Sequence, residues 1–359
     1  MHSTADQLRE MGHTVDLLFS EDVPRKSIGA SDRFVFPVAL VKVVRDIIRR
    51  RGPYDVVEIH EPSAAWYCYQ RKRDNTLPPC VVMSHGSEGN YWQHRLALDC
   101  HLDRKTSIKS RVIVPLTLLS QSKYSLRHSQ QVMCLNMLDE QYFRTKVGIP
   151  GSRITRIRHG VEEHFFSQRD PSNNKLPRLL FVGTWLDNKG RHSIPSAFRQ
   201  ICTSYPGIHL SLLGTGFADE EVLACFDVNL HSALTVKQSV DDRQLRAAYA
   251  EHDILLLPSF FESWGLVLLE AAAAGLAIIS SKAGGPSEIF QDQQNALLVS
   301  AFSPTALAEA VKTLIENQQM REVLGQRAQK RARQFTWTAA AESHLCAYER
   351  AIALTGNWK

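Results

Sequence analysis

The sequence contains no Cys-x-x-Cys pair and no metal-type cysteine spacing. Its seven cysteines stand apart at positions 68, 80, 100, 134, 202, 225 and 346, which excludes a disulfide framework and indicates reduced thiols. No apolar run approaches the length of a membrane span. The N-terminus lacks the basic-then-apolar pattern of a signal peptide, so a cytoplasmic location is expected. Repeats and low-complexity tracts are absent. Nucleic acid is disfavoured as a partner because no reader motif accompanies the charge. The segment "LLGTGF" (212–217) is a Gly-x-Gly without the third glycine of a dinucleotide fingerprint, which argues against a nicotinamide-dependent dehydrogenase. An opening strand is also lacking. Residues 3–19, "STADQLREMGHTVDLLF", read as a helix and a Gly-His turn before any strand. A doubly wound domain places its first strand centrally, so the expectation is an upstream start or a damaged copy.

What is present suits two globular domains. The chain has 359 residues, 44% hydrophobic and 22% charged, with formal net charge +5. The charge is uneven. Residues 1–165 hold 24 Lys+Arg against 18 Asp+Glu, or +6, and the remainder hold 18 against 19, or −1. Clusters at Arg49-Arg50-Arg51 and Arg71-Lys72-Arg73 suit a solvated helix end first, and an anionic lipid surface or an acidic substrate second. Peripheral contact with the inner membrane face through this basic half is therefore one expectation.

Short apolar runs alternate with helical patterns in two series. The first comprises 14–19, 55–60, 80–85, 130–136 and 154–160; the second 178–183, 208–214, 232–236, 253–259, 276–281 and 295–300. Such runs predict parallel sheets covered on both faces. The expected fold class is α/β, with two doubly wound Rossmann-like domains and the first strand of the N-terminal one missing. The expected divisions are 1–166 for the first domain, a polar linker at 167–177, 178–335 for the second domain, and a last helix within 336–359.

The stretch "DILLLPSFFESWGLVLLEAAAAG" (253–275) reads as strand, loop and helix, with a helix start between Ser263 and Leu266 and a stop at Gly275. Glu262 then precedes the helix at the carboxyl end of a parallel strand, where ligands of open α/β sheets bind. The first N–H groups of that helix favour a phosphate. Glu270 falls inside the helix among Leu and Ala, where a buried carboxylate needs a partner such as a ribose diol. The plain alternative is an exposed cap and a side chain that reaches solvent.

This stretch resembles the Glu-x7-Glu motif of retaining glycosyltransferases with the GT-B fold, most like glycosyltransferase family 4. Four further segments are similar in order and spacing: "RIRHGVEEHFF" (156–166), "LLFVGTWLDNKGRHSIPSAF" (179–198), "AGGPSEIFQDQQNALLV" (283–299) and "FTWTAAAESHLCAYERAI" (335–352). The resemblance implies two domains facing a cleft, a nucleotide-sugar donor such as a UDP- or GDP-sugar, and no cofactor. It implies a carbohydrate, lipid-linked or small-molecule acceptor. By the same resemblance Glu270 holds the ribose, Glu262 faces the sugar hydroxyls, and Lys189 neutralises the leaving diphosphate. The backbone of Ser263, Trp264, Gly265 and Leu266 lines the sugar and phosphate site, beside Gly183, Thr184 and Gly214. His85, ending the strand "VVMSH", matches an active-site histidine over the sugar. Thr184 departs from the family, which usually has Arg there; Arg191, His192 or Arg158 are candidate substitutes. No Asp-x-Asp occurs, so no metal is implied. Rival readings are a nucleotide-sugar epimerase on the same fold and an inactive nucleotide-binding relic.

Overall fold

The computed structural model describes residues 2–24, 32–166 and 176–355. It divides into two compact units, Met1–Arg158 with Trp337–Lys359, and His159–Thr336. Most of the expected linker, 167–175, lies outside the described residues. Residues 159–166, counted above with the first domain, pack in the second unit. The Val161 N–H donates to the Phe335 carbonyl at 3.2 Å, and Trp264 Nε1 donates to the His159 carbonyl at 3.1 Å.

The first unit is built on four parallel strands: β1 (Val57–His60), β2 (Cys80–Ser84), β3 (Gln131–Cys134) and β4 (Ile154–Arg156), in the order β1-β2-β3-β4. Successive side chains of a strand point to opposite faces. On one face Ile59, Cys80, Val82, Val132 and Cys134 join a core with Leu40, Val41 and Val44 of helix Asp32–Arg51 and Tyr67 of helix Ala65–Arg71. Helix Trp337–Thr355, from the far end of the chain, lies along β2, β3 and β4 and against helix His2–Glu10.

The strand expected at 14–19 does not form. A strand exists through its ladder, and β2 is the only strand neighbour of β1 among the described residues. Side chains hold the segment instead. Arg9 donates to the Val15 carbonyl at 2.7 Å, and Arg51 and Tyr54 both bond the Asp16 carboxylate.

The second unit has six parallel strands: β5 (Arg178–Val182), β6 (His209–Leu213), β7 (Leu234–Lys237), β8 (Ile254–Leu257), β9 (Ala277–Ser281) and β10 (Leu297–Val299). Their order is β10-β9-β8-β5-β6-β7. The chain winds outward from β5 through β6 to β7, then returns to the other side of β5 for β8. Every residue of β8 and β9 is buried, as expected for strands covered on both faces. Helix Leu266–Ala273 follows β8 and ends in a Schellman turn: Leu276 N–H bonds the Ala271 carbonyl at 3.0 Å and Gly275 N–H the Ala272 carbonyl at 2.9 Å. No helix among the described residues is long and apolar enough to cross a membrane, and all seven cysteines are free.

Helix Gln318–Ala332 crosses this turn at Gly325, where a Cβ would stand 2.4 Å from the Gly275 carbonyl oxygen. Alanine normally favours a helix interior over glycine. Here the contact is with backbone, which cannot swing aside. Gly325→Ala is therefore expected to lower stability by about 1–3 kcal/mol, read from urea unfolding; a stabilised variant would show that the two segments do not approach so closely.

Candidate active site

The reversal of strand order between β5 and β8 creates a switch point at the carboxyl ends of those strands, the usual ligand crevice of open α/β sheets. Two loops meet there. After β5 the chain turns through a 3-10 segment, Asp187–Lys189, closed by Gly190 at φ 94°. A Cβ at Gly190 would lie 2.7 Å from Pro258 Cγ, so glycine is needed both for the turn and for its seat on the loop after β8. The Phe260 N–H then bonds the Asn188 carbonyl at 2.7 Å, tying the loops together.

This closure brings Lys189 Nζ to 3.5 Å from Glu262 Oε2. The Glu262 oxygen is buried and has no hydrogen-bond partner among the described residues. Among the described residues the charged group that meets it is the Lys189 ammonium. The Glu262 main chain is tied separately, its carbonyl accepting from the Gly285 N–H at 3.0 Å. Gly265 caps helix Leu266–Ala273, which begins with the exposed Leu266. The first amides of an α-helix have no acceptor within it, so this end presents donors beside the Lys189–Glu262 pair.

Glu270 lies inside the helix and accepts a hydrogen bond of 2.8 Å from the Tyr249 hydroxyl. Burial raises the Glu270 pKa, the Tyr249 bond opposes the rise, and the Asp242 carboxylate adds to it. Tyr249 belongs to helix Asp242–Glu251, which starts with a capping box between Asp241 and Gln244. Tyr249 was not among the residues the sequence pointed to. Its position at a buried helix site next to β8 was the available signal.

The other expected residues fall into three groups. Gly183 and Gly214 sit side by side through the β5–β6 ladder: the Gly183 N–H donates to Leu213 O at 2.9 Å and the Trp185 N–H to Thr215 O at 2.8 Å. Ser263, Trp264 and Gly265 form the loop before the helix, but the Trp264 indole turns into the core, 2% exposed and edge-on to Phe335. Only its backbone remains for a ligand. Thr184 is exposed. Of the cations named as substitutes there, Arg191 stacks over Phe217, His192 Nε2 lies 2.8 Å from Asp187 Oδ1, and Arg158 belongs to the first unit. His85 also belongs to the first unit, just past β2. Among the described residues no three His, Cys, Asp or Glu side chains gather as a metal site requires.

Two family models match the chain consecutively: "Glycosyltransferase Family 4" over residues 1–165 and "Glycosyl transferases group 1" over 162–331. A curated D-inositol 3-phosphate glycosyltransferase of Segniliparus rotundus is 27% identical over 188 residues, covering 51% of this chain and 41% of that protein. The chain thus spans less than half the length of the first curated relatives it matches. Among solved structures, sucrose-phosphate synthase from Thermosynechococcus elongatus superposes with a TM-score of 0.74 at 21% identity, covering 92% of this chain and 82% of that one. Anabaena HepE, solved with UDP and glucose, gives 0.65 at 16% identity, with coverage of 90% and 83%. These likenesses establish the GT-B fold.

The raised Glu270 pKa has a consequence for stability. An acid whose pKa is higher folded than unfolded costs stability above its folded pKa, and the cost vanishes as pH falls below the unfolded one. Glu270→Gln keeps an acceptor for Tyr249 and removes the charge. The variant is expected to unfold at higher denaturant than wild type at neutral pH, with the difference closing as pH falls to the ordinary carboxylate range. Denaturation curves across pH test this.

Proposed function

We propose that this chain, which has the GT-B fold and matches two glycosyltransferase family models in succession, moves a sugar from a nucleotide-sugar donor to an acceptor hydroxyl with retention of configuration. The observation that carries this reading is the Lys189–Glu262 pair at the β5/β8 switch point, with Glu270 inside the helix that follows.

Each group has a task suited to its surroundings. The Lys189 ammonium takes up the negative charge that grows on the leaving diphosphate. The amide end of helix Leu266–Ala273 favours the same charge. Glu262, released from Lys189 by that competition, accepts hydroxyls of the sugar. Glu270, already held by Tyr249, accepts from the ribose diol. His85 hydrogen-bonds a hydroxyl of the sugar in transfer. Charge develops at the anomeric carbon as the diphosphate departs, and the acceptor hydroxyl attacks from the same face. Neither glutamate serves as a covalent nucleophile, unlike the carboxylate pair of a retaining glycosidase. We assign no cofactor or metal to the step, since the sequence has no Asp-x-Asp and Lys189 is placed to receive the charge. UDP is the first nucleotide to test, given the UDP bound by HepE. The acceptor is a glycan, small molecule or lipid-linked sugar; the basic first half suits the last of these at the inner membrane face.

Calorimetry with UDP, GDP and ADP is expected to find one nucleotide that binds. Glu270→Ala should weaken that binding about 10–100-fold, as for a hydrogen bond to a charged group. Lys189→Met should reduce kcat about 100-fold with nucleotide binding less affected. Donor turnover that proceeds equally with no acceptor would replace transfer by epimerisation. Failure of all three nucleotides to bind folded protein would end the enzyme reading.

A further inference from the structure

One helical stretch of the first unit leaves its apolar residues uncovered. Residues 108–128 are helical throughout, as Ile108–Val114, a wider π turn at Pro115–Leu119, and Ser120–His128. The last part is anchored in the fold. It buries Ser122, Ser125 and Leu126, and the Ser125 carbonyl accepts from Cys68 Sγ at 3.8 Å. The first two parts have no buried residue, although seven of their twelve residues are Ile, Val or Leu. Ile108 is 81% exposed and Leu116 71%, with Val112 and Ile113 half exposed. A single apolar side chain at a surface is ordinary, but a contiguous group calls for a partner.

The spacing gathers these residues. Ile108, Val112 and Leu116 recur every fourth position and share one helix face. By the same pitch Lys109 and Ile113 border that face on one side and Arg111 on the other. The polar groups of the stretch are taken up by its own backbone. Ser107 caps the start, its hydroxyl oxygen accepting from the Ser110 N–H at 3.1 Å. The Thr117 hydroxyl donates to the Ile113 carbonyl at 2.6 Å and the Ser120 hydroxyl to the Leu116 carbonyl at 2.8 Å. What the surface offers outward is apolar or cationic.

The charge has one sign. Residues 104–138 contain six Lys and Arg (Arg104, Lys105, Lys109, Arg111, Lys123 and Arg127) and no Asp or Glu. Of the two acids just before the run, Asp99 accepts from the Thr106 hydroxyl at 2.6 Å, and Asp103 precedes the helix. Lys105, Lys109 and Arg111 are exposed. An apolar face bordered by cations alone is complementary to one kind of surface, in which acyl chains lie beneath negative phosphates. Lysine and arginine stems suit the same boundary, since they lie along apolar surface while their heads reach charge.

We infer that the front of this helix is a docking surface for an anionic lipid membrane, with Ile108, Val112, Ile113 and Leu116 entering the acyl boundary and Lys105, Lys109 and Arg111 meeting lipid phosphates. The clusters at Arg49–Arg51 and Arg71–Arg73 lack such an apolar centre and are not the attachment point. Service to a lipid-linked acceptor rests on the function proposed above; the binding itself does not.

Cosedimentation of the full chain with vesicles tests this. Wild type is expected to bind an equal mixture of phosphatidylcholine and phosphatidylglycerol, to leave phosphatidylcholine alone unbound, and to bind less as salt rises. Ile108→Ser with Leu116→Ser, and separately Lys105→Gln with Lys109→Gln, should each lower the partition about 10–30-fold. Arg49→Gln with Arg50→Gln should change it little. All of these sites are exposed, and urea unfolding curves that match wild type show that a loss of binding is not a loss of fold. No binding by wild type, or equal loss in all three double variants, would overturn the inference. So would a lipid-free dimer that Ile108→Ser with Leu116→Ser dissolves, which would give the patch to a second copy of the chain. Vesicle binding by a protein that transfers no sugar from any donor would end the proposed function and leave this surface standing.

Discussion

Strand β5 has a parallel neighbour on each side, β6 and β8, and the site in the second unit depends on that double pairing. Parallel strands end on the same edge, so the loops after β5 and β8 must rise next to each other. Gly190 seated on Pro258 and the Phe260–Asn188 bond then draw them into contact. The resulting Lys189–Glu262 pair is 26% and 15% exposed. Pairs at a surface contribute about 0–1 kcal/mol, and a buried carboxylate oxygen without a hydrogen bond costs more than it returns. The arrangement makes poor sense as a stabilising device. As a place where a cation and a carboxylate await polar ligand groups, it makes good sense.

Among the described residues, three half-buried carboxylates show three ways of tolerating charge. Glu262 has one cation and no hydrogen bond on Oε2. Glu270 has one hydroxyl, and its pKa stays raised. Glu58 has a hydroxyl and two imidazoles, and its pKa falls to about 2. The more complete the set of partners, the more firmly the charge is held. The two glutamates of the second unit remain under-compensated, as suits groups that meet a ligand. Glu58 is satisfied within the protein by Tyr348, His60 and His344.

Much of this was legible in the residues. Buried runs such as "ILLL" and "AIISS" carry no polar face, and only strands covered on both sides need that composition. Gly275 marked a helix end because it occupies the left-handed region there. Glu262 and Glu270 stood out because charge among Leu and Ala demands an explanation. The run at 14–19 misled because it has the composition of a strand, yet a strand is a property of two segments and its ladder partner is not written in it. Trp264 belonged to the motif, but the direction of its indole was set by His159 and Phe335, remote in sequence.

Local chemistry is a matter of neighbours along the chain, so the sequence by itself determined the element types, the two parallel sheets, the helix start near Leu266 and the candidate glutamates. Partner choice is a matter of neighbours in space. Only the tertiary structure decided that Tyr249 bonds Glu270, that Lys189 faces Glu262, and that Tyr348, 290 residues beyond Glu58, donates to its carboxylate. Each of these contacts joins side chains from different elements across a sheet edge or face. Their distances follow from strand order and register, which pattern alone leaves open.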